Sequence, residues 1–513
     1  DANDRVLIIN KEGTADSTSD SAAIFIDAQK GGIRLKAKKG IEFHANDGGD
    51  ILKVGGNGDG NVVLTTTPAA GDSGVLDISA GSLYFHGVDL LAAEASNIDI
   101  SAVTLDISSI NSIYIETKHI DISAVTLDIS AVDAMYLSSE YIDISAATID
   151  ISATTLDISS AKAYIQTGHL DISAATIDIS ASEATYIATR HLDISAATLD
   201  ISAVDAIYLQ GKHIDISAAT LDISAAEATY IATKHLDISA VTLDISAVDA
   251  MYLSSEYIDI SAATIDISAT TLDISSAKAY IQTGHLDISA ATIDISASEA
   301  TYIATRHLDI SAATLDISAV DAIYLQGKHI DISAATLDIS AAEATYIATK
   351  HLDISAVTLD ISAVDAMYLS SEYIDISAAT IDISATTLDI SSAKAYIQTG
   401  HLDISAATID ISASEAIYIA TRHLDISAAT LDISAVDAMY LQGKHIDISA
   451  ATLDISAAEA TYIATKHLDI SAVTLDISAV DAMYLSSEYI DISAATIDIS
   501  ATTLDISSAK TYI

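Results

Sequence analysis

The sequence predicts an all-β chain wound into an elongated β-helical fibre, and three observations support this prediction. Tyr141, Tyr257 and Tyr373 lie 116 residues apart in succession, within blocks that copy one another. Inside each block, apolar residues recur every seven residues and alternate with polar neighbours, as Ile142 and Ile144 do. Hydrophobic residues make up 50% of the chain, yet it has three Phe and no Trp. A fixed period with small apolar residues is typical of repeats that bury their apolar sides only against neighbouring repeats.

The blocks are nearly identical copies. Those that begin at Met135, Met251 and Met367 differ at only two positions. The changed positions are Thr185 and Thr301 against Ile417, and Ile207 and Ile323 against Met439. A chain that repeats itself in this way gains length rather than a wider core, so the first functional inference is an elongated shaft.

The seven-residue period has two readings, a coiled coil or a short strand. In a coiled coil the apolar positions are three and four residues apart. Here Ile142 and Ile144 are two residues apart, with Asp143 between them. This alternation, together with the β-branched Ile and Thr, predicts a strand of four or five residues followed by a tight corner of Ala, Thr or Ser. The Ala content is the one local feature that favours helix.

A period of 22 residues separates His169, His191 and His213, and once per block it lengthens to 28, between Tyr141 and His169. In a single-chain solenoid with three sides, one such period forms one coil, and the longer step would turn every later side by a third of a revolution. In an intertwined trimer an added strand adds one layer and disturbs nothing. The sequence therefore favours an intertwined homotrimeric triple β-helix of seven- to eight-residue strands. The alternative is a single-chain, three-sided β-solenoid.

The two arrangements differ in length. In the trimer each strand contributes one layer, and one block holds sixteen strands. With layers about 4.8 Å apart, a block would extend roughly 75 Å and the repeated region about 300 Å.

Two segments differ in composition. Residues 1–75 are rich in Gly and are predicted to form a looser, irregular β-helical segment near the attachment point. Its Gly pairs lie at 31–32, 48–49 and 55–56. Residues 76–513 are predicted to form the repetitive shaft, with 22- or 28-residue units in 116-residue blocks. The chain opens with Asp1 and stops at Ile513, part way through a unit, so we expect both ends to belong to something longer.

The composition excludes several functions. With 72 acidic and 22 basic residues the formal net charge is −50, which disfavours nucleic acids and anionic lipids and predicts that neighbouring fibres repel each other. There is no Cys, so disulfides and thiolate chemistry are absent. An Asp interrupts every strand, so no apolar run reaches the roughly 18 to 20 residues of a membrane span.

Short alternating strands stacked with very small corners resemble the triple-stranded β-helical shafts of phage tail fibres. Segments 21–27 and 40–45 also resemble the strand-rich stems of virion fibre proteins. The resemblance implies an extracellular homotrimeric fibre on a virion. One end would attach to other virion structural proteins, and a tip outside these residues would bind a host surface receptor. Cell-puncturing needles space Val and Gly by eight residues and this chain does not, so a puncturing role is not implied.

The Asp residues of the repeats are the first candidate binding feature. Because they alternate with apolar neighbours, they should point away from the core. Stacked layers would bring like charges about 5 Å apart, which destabilises a sheet. Ser hydroxyls, ion pairs, or bound calcium or magnesium would offset this repulsion, and a solvated acidic face is the simpler interpretation. The column includes Asp143, Asp150, Asp157, Asp171 and Asp178.

Two aromatic columns are further candidates. Thirteen of the fifteen His occupy one phase of the repeat. Alternation places His191 on the outer side with Asp193 and beside Arg190, either exposed or hydrogen-bonded to Asp, and an Asp partner would raise its pKa. The Tyr column, which includes Tyr186 and Tyr208, is expected to serve packing, with carbohydrate stacking as the alternative.

Catalysis has no support in the sequence. Ser, His and Asp recur in every unit, whereas a catalytic triad needs one singular geometry. No Gly-rich phosphate loop, nucleophile elbow or helical zinc motif is present. We therefore expect a protein that is not an enzyme, and no residue is assigned a catalytic, cofactor-binding or metal-binding role.

The function expected from these observations is the structural shaft of a phage virion or tail fibre, acting as a rigid spacer for host attachment. One alternative is the stalk of a bacterial surface adhesin or filament. The other is a calcium- or glycan-binding β-solenoid that uses the Asp or Tyr columns.

Overall fold

The computed structural model of this chain describes the backbone of residues 75–87 and 90–513, and the side chains of Phe85 and residues 97–513. Every regular element in this part of the chain is a β-strand, and the predicted all-β, elongated β-solenoid is confirmed. None of its elements is a helix long and apolar enough to cross a membrane. The Gly-rich segment predicted over residues 1–75 lies outside the described residues, apart from Val75.

The strands follow one another with very short breaks. They are β1 (Val75–Gly87), β2 (Leu90–Ser109), β3 (Ser112–Ala131), β4 (Ala134–Ala203), β5 (Ala206–Gln210), β6 (His213–Ala225), β7 (Ala228–Ala232), β8 (His235–Ala247), β9 (Ala250–Ala319), β10 (Ala322–Gln326), β11 (His329–Ala341), β12 (Ala344–Ala348), β13 (His351–Ala363), β14 (Ala366–Ala435), β15 (Ala438–Gln442), β16 (His445–Ala457), β17 (Ala460–Ala464), β18 (His467–Ala479), β19 (Ala482–Ser500) and β20 (Thr503–Tyr512). Three of them, β4, β9 and β14, are 70 residues long, so each bends through several corners without losing its pairing.

The chain pairs with itself one coil later. In β6 and β8, for example, Ile214 pairs with Leu236 and Asp215 with Asp237, in parallel and one 22-residue coil apart. The same parallel arrangement joins β1 to β2 and every later pair of coils. Because partners are identical or similar residues, like side chains stack directly above one another along the solenoid axis.

Each coil has three sides, which the burial pattern defines. In the coil that begins at His191, three pairs of inward residues are each at most 2% exposed. These pairs are Leu192 with Ile194, Leu199 with Ile201, and Ile207 with Leu209. Between the members of each pair, Asp193, Asp200 and Tyr208 point outward. Full burial of one Ile or Leu side chain contributes about 1.5–3 kcal/mol, so a thin column of these residues stabilises the whole length.

Small residues and hydrogen bonds form the corners. Ala203 and Ala206 are buried on either side of the exposed Val204 and Asp205. The backbone N–H of Asp205 donates to the carbonyl of Glu183 at 2.7 Å, so the corner also bonds to the preceding coil. Because the polar backbone groups of the turn are hydrogen-bonded to the preceding coil, successive coils stack directly on one another.

Once per block the coil is shorter than the others by a single residue. Strand β20 pairs with β19 in this shorter register, which places Asp505 beside Tyr484 and Tyr512 beside Asp491. The same spacing brings Lys162 within 2.8 Å of Glu183 in the first block. Since Asp491 follows Tyr484 by one side of the coil, the Tyr column continues on the next side of the solenoid after each block.

The 28-residue step is therefore one shortened, 21-residue coil plus one seven-residue side, and a single chain contains it without strain on the pairing. The expected turn of the later sides by a third of a revolution does occur, but the Tyr and His columns stay aligned within each block and change side only between blocks. The irregular step consequently no longer favours a trimer over a single chain, and the homotrimer stays a prediction.

Candidate functional site: stacked side-chain ladders

The Tyr residues form ladders on the outside of the solenoid. Tyr186 and Tyr208 stack with their ring centroids 4.5 Å apart and their planes within 2° of each other. Each complete ladder has five rings, and the first ring of the ladder that begins at Tyr164 is 38% exposed. The complete ladders are Tyr164, Tyr186, Tyr208, Tyr230 and Tyr252; Tyr280, Tyr302, Tyr324, Tyr346 and Tyr368; and Tyr396, Tyr418, Tyr440, Tyr462 and Tyr484. The rings pack on one another rather than in the core.

The His residues form a second set of ladders at the corner that follows the Tyr side. His191 and His213 stack at 4.8 Å, and Tyr257 closes the ladder above His235 at 5.0 Å. The outward position of His191 is as predicted, but no ion pair joins it to an Asp among the residues whose side chains are described. Burial and the neighbouring His169 and His213 instead hold the pKa of His191 below its usual value.

A hydroxyl fixes the backbone at this corner. Thr189 donates its Oγ1 hydrogen to the carbonyl oxygen of His191 at 2.7 Å, and Ser255 makes the equivalent bond to Tyr257 at 2.8 Å. A Thr or Ser two residues before the His or Tyr forms the same bond in most coils. This local bond sets the direction in which the ladder side chains leave the corner.

The Asp residues form ladders on the other two sides. Asp193 and its stacked partners are exposed, whereas Asp200 is half-buried and one of its oxygens, Oδ1, has no hydrogen-bond partner. Burial raises the pKa of the Asp200 carboxyl, and the neighbouring Asp222 and Asp178 raise it further. In residues 110–513 no Ser hydroxyl donates a hydrogen bond to these carboxylates and no Lys or Arg side chain forms an ion pair with them, so two of the three predicted means of offsetting the repulsion are not used there.

Two charged columns border each Tyr ladder. Three residues before Tyr208 is Asp205, in a column that we call the acidic edge, and four residues after Tyr208 is Lys212, in a column that we call the basic edge. In the first complete block the acidic edge consists of Glu183, Asp205, Glu227 and Asp249, and the basic edge of Arg190, Lys212 and Lys234. Neither edge was recognised in the sequence. The signal was present, since both columns follow the 22-residue period of the Tyr residues.

The side chains of residues 97–513 form no group of three or more His, Asp or Glu arranged to hold a metal ion. Comparisons of the whole chain with known protein families, with curated proteins and with solved structures found no match.

Proposed function

We propose that this chain is the structural shaft of a fibre on a phage virion or tail, a rigid spacer that holds a recognition tip away from the particle. One observation supports this proposal above the others: parallel pairing between successive coils continues from β1 to β20. From β2 to β20 the breaks between successive strands are only two residues long. Such a segment transmits force and sets a distance.

Stiffness follows from the direction of the hydrogen bonds. In a parallel solenoid the backbone N–H···O bonds run along the axis on every side. Bending the shaft would stretch these bonds on one side and compress the inward Ile and Leu column on the other. Ile142 and Ile144 are both 0% exposed, so the core is closely packed and bending would force its side chains to overlap.

Length is set by the number of blocks. A 116-residue block contains little more than five 22-residue coils, and with about 4.8 Å per coil it extends a single-chain solenoid by roughly 25 Å. Because the blocks beginning at Met135 and Met251 are identical, adding one lengthens the shaft and turns the sides that follow by a third of a revolution, without introducing any new sequence. Selection for a particular shaft length would explain why the blocks were duplicated.

The location and partners belong to the same proposal. A fibre outside a cell has to last without disulfides, since the chain contains no Cys, and continuous hydrogen bonding supplies the stability instead. One end would attach to other virion proteins, and the tip would bind a host receptor. A bacterial adhesin stalk would use the same geometry, and labelling with an antibody separates the two, because the label would decorate viral particles in one case and cell envelopes in the other.

Electron microscopy of the purified chain, with its mass from sedimentation, tests the shaft. About 19 coils of a single-chain solenoid extend about 90 Å. An intertwined homotrimer, which we retain as the assembly implied by the resemblance to tail fibres, would extend about 300 Å and sediment with the mass of three chains. Duplicating one block should add roughly 25 Å in the first case and roughly 75 Å in the second. Compact or irregular particles whose length does not change with the added block would refute the shaft, whether single-chain or trimeric.

A further inference from the structure

The side of the solenoid that bears the Tyr ladder differs from the other two sides in charge. We call this side, with its acidic edge and its basic edge, the Tyr face. The other two sides bear Asp ladders, so two copies meeting there would bring carboxylates together. Those ladders are Asp171, Asp193, Asp215, Asp237 and Asp259 on one side, and Asp178, Asp200, Asp222, Asp244 and Asp266 on the other. The Tyr face combines stacked rings with charges of both signs.

The charged groups at its borders are free to bind. Arg190, Lys212 and Asp205 are exposed and form no ion pair with any residue whose side chain is described. Only the ends of the two edges are paired within the chain, Glu183 with Lys162 at 2.8 Å and Lys234 with Glu256 at 3.0 Å. In each of these pairs at least one of the two side chains is more than a third exposed, so solvent screens the ion pair. Exchanging its partner for one on a second copy therefore costs little free energy.

We propose that the Tyr face is a self-association surface through which two copies of this chain pack side by side, parallel and at the same height. The acidic edge lies before the Tyr ladder and the basic edge after it, on opposite borders of one face. A two-fold axis parallel to the solenoid places the acidic edge of each copy against the basic edge of the other. In this arrangement Glu183 faces Arg190, Asp205 faces Lys212, and Glu227 faces Lys234 of the second copy.

The opposite orientation is disfavoured by the same charges. If the second copy ran antiparallel, its acidic edge would meet the acidic edge of the first, and the two basic edges would also meet. Like charges brought together at a contact select against that orientation. In the last of the four coils that carry the acidic edge, Asp249 of one copy would face Glu256 of the other, and these like charges repel. Opposite charges therefore face each other in three of these four coils.

One Tyr face makes a weak contact. Five rings at about 4.8 Å spacing, on a side of about seven residues, give a patch of about 20 Å by 20 Å per copy. This is roughly half of the 800 Å² that each partner of a typical specific complex buries. The net charge of −50 also opposes the approach of two shafts, so pairing is expected only at high local concentration, as when many shafts are anchored side by side.

The rotation between blocks extends the pairing to several neighbours. The ladders that begin at Tyr164, Tyr280 and Tyr396 lie on three different sides of the solenoid, because each block turns the Tyr column by one side. The edges recur unchanged, with Arg306, Lys328 and Lys350 in the second block. Each shaft can thus contact three parallel neighbours at three heights, which gives a bundle. This inference does not depend on a phage origin.

Sedimentation of the full chain across concentrations, with two charge variants, tests the pairing. One variant has a reversed basic edge, Arg190→Glu, Lys212→Glu and Lys234→Glu, and the other a reversed acidic edge, Glu183→Lys, Asp205→Lys and Glu227→Lys, with the equivalent changes in the other two blocks. We expect the unaltered chain to associate, each variant alone to remain unassociated at the same concentration, and an equimolar mixture of the two variants to associate again. Circular dichroism checks that both variants keep the strand spectrum.

Cross-linking tests the orientation, since the chain has no Cys of its own. A maleimide linker of about 10 Å, the distance between packed sheets, should join Tyr164→Cys of one copy to Tyr164→Cys of another. In an antiparallel pair Tyr164→Cys would instead join Tyr252→Cys. An unaltered chain that never associates, a mixture that fails to restore association, or cross-links only between positions 164 and 252 would overturn the proposal. Shaft length in micrographs would be unaffected by any of these results, so the proposed spacer function is judged separately.

Discussion

Asp505 lies beside Tyr484 on the neighbouring coil, where the shortened register joins β20 to β19. Within each ladder the coil partner of a Tyr is instead another Tyr on the next full coil, as for Tyr208 and Tyr230. This one short coil per block is what moves the Tyr column to the next side. The position of every Tyr face therefore depends on a change of register at one place.

Removal of one seven-residue side should cancel that move. Deleting residues 266–272 leaves Tyr280 one shortened coil after Tyr252, so the two rings should stack and the first two ladders become one. Nitroxide labels at Tyr252→Cys and Tyr280→Cys should then show spin exchange, which the intact chain should lack. Deleting one whole coil, residues 221–242, is the matched control and should leave the labels apart. Exchange in the control, or none in the shorter deletion, would contradict the shortened register.

Local pattern was sufficient to predict the strands but not the arrangement of the sides. Alternation at Ile142 and Ile144 predicted the inward residues correctly, because period two has only one structural reading at that length. The 28-residue step was ambiguous, since an extra layer in a trimer and an extra side in one chain give the same spacing. The edges of the Tyr face were missed for a related reason. Asp205 and Lys212 become neighbours of one ladder only once the corners on both sides of Tyr208 are located.

At one core position the first two blocks carry a hydroxyl without a hydrogen-bond partner, on Thr185 and Thr301. Thr301 is 0% exposed and its Oγ1 makes no hydrogen bond, whereas the third block has Ile417 at the same position, also buried. A buried polar group left unpaired costs about 1–3 kcal/mol. Thr301→Ile should therefore raise the thermal midpoint and slow amide exchange in the neighbouring coils.

The matched control is Thr305→Val. Its hydroxyl is bonded to the carbonyl of His307 at 2.7 Å, so this change should destabilise by about 1 kcal/mol. Amide exchange locates the effect in the coils around each substitution, whereas a thermal midpoint averages over the whole repeat array. Faster exchange in Thr301→Ile than in the unaltered chain would show that the core cannot accept the larger side chain.

Salt should stabilise the solenoid. The half-buried Asp200 stands between Asp178 and Asp222 without an ion pair, so dissolved salt is expected to weaken the repulsion among these carboxylates. Raising NaCl from about 0.01 M to about 0.15 M shortens the screening length from about 30 Å to about 8 Å. The thermal midpoint should rise, and Asp200→Asn with Asp222→Asn should reduce the rise. CaCl₂ at equal ionic strength separates screening from binding, because only bound cations would raise the midpoint further. A midpoint that falls with NaCl would contradict the ladder repulsion.

Mild acid should also stabilise the solenoid, in contrast to most proteins. Burial and neighbouring carboxylates raise the pKa of Asp200 and Asp316 above 3.8, so the folded state binds their protons more readily than the unfolded state does. The contribution of these carboxyls to the free energy of unfolding is therefore fully present below pH 3.8, and it is lost as the pH rises through their raised pKa. Thermal midpoints should therefore increase as pH is lowered from about 5.5 towards 4. A steady loss of stability over this range would rule out the predicted proton uptake by the ladders.

The His ladders should act in the opposite direction at higher pH. Burial, stacked His neighbours and the adjacent Arg190 and Lys212 lower the pKa of His191 below 6.5, and His307 and His423 are lowered in the same way. The folded state thus binds these protons less readily than the unfolded chain. Their contribution to stability is complete above pH 6.5 and is lost as pH falls through the lowered pKa. Thermal midpoints should pass through a minimum between this loss and the later gain from the Asp ladders. His191→Gln, His307→Gln and His423→Gln together should remove the minimum and leave the acid-side rise unchanged, whereas a minimum that survives these changes would assign it to other groups.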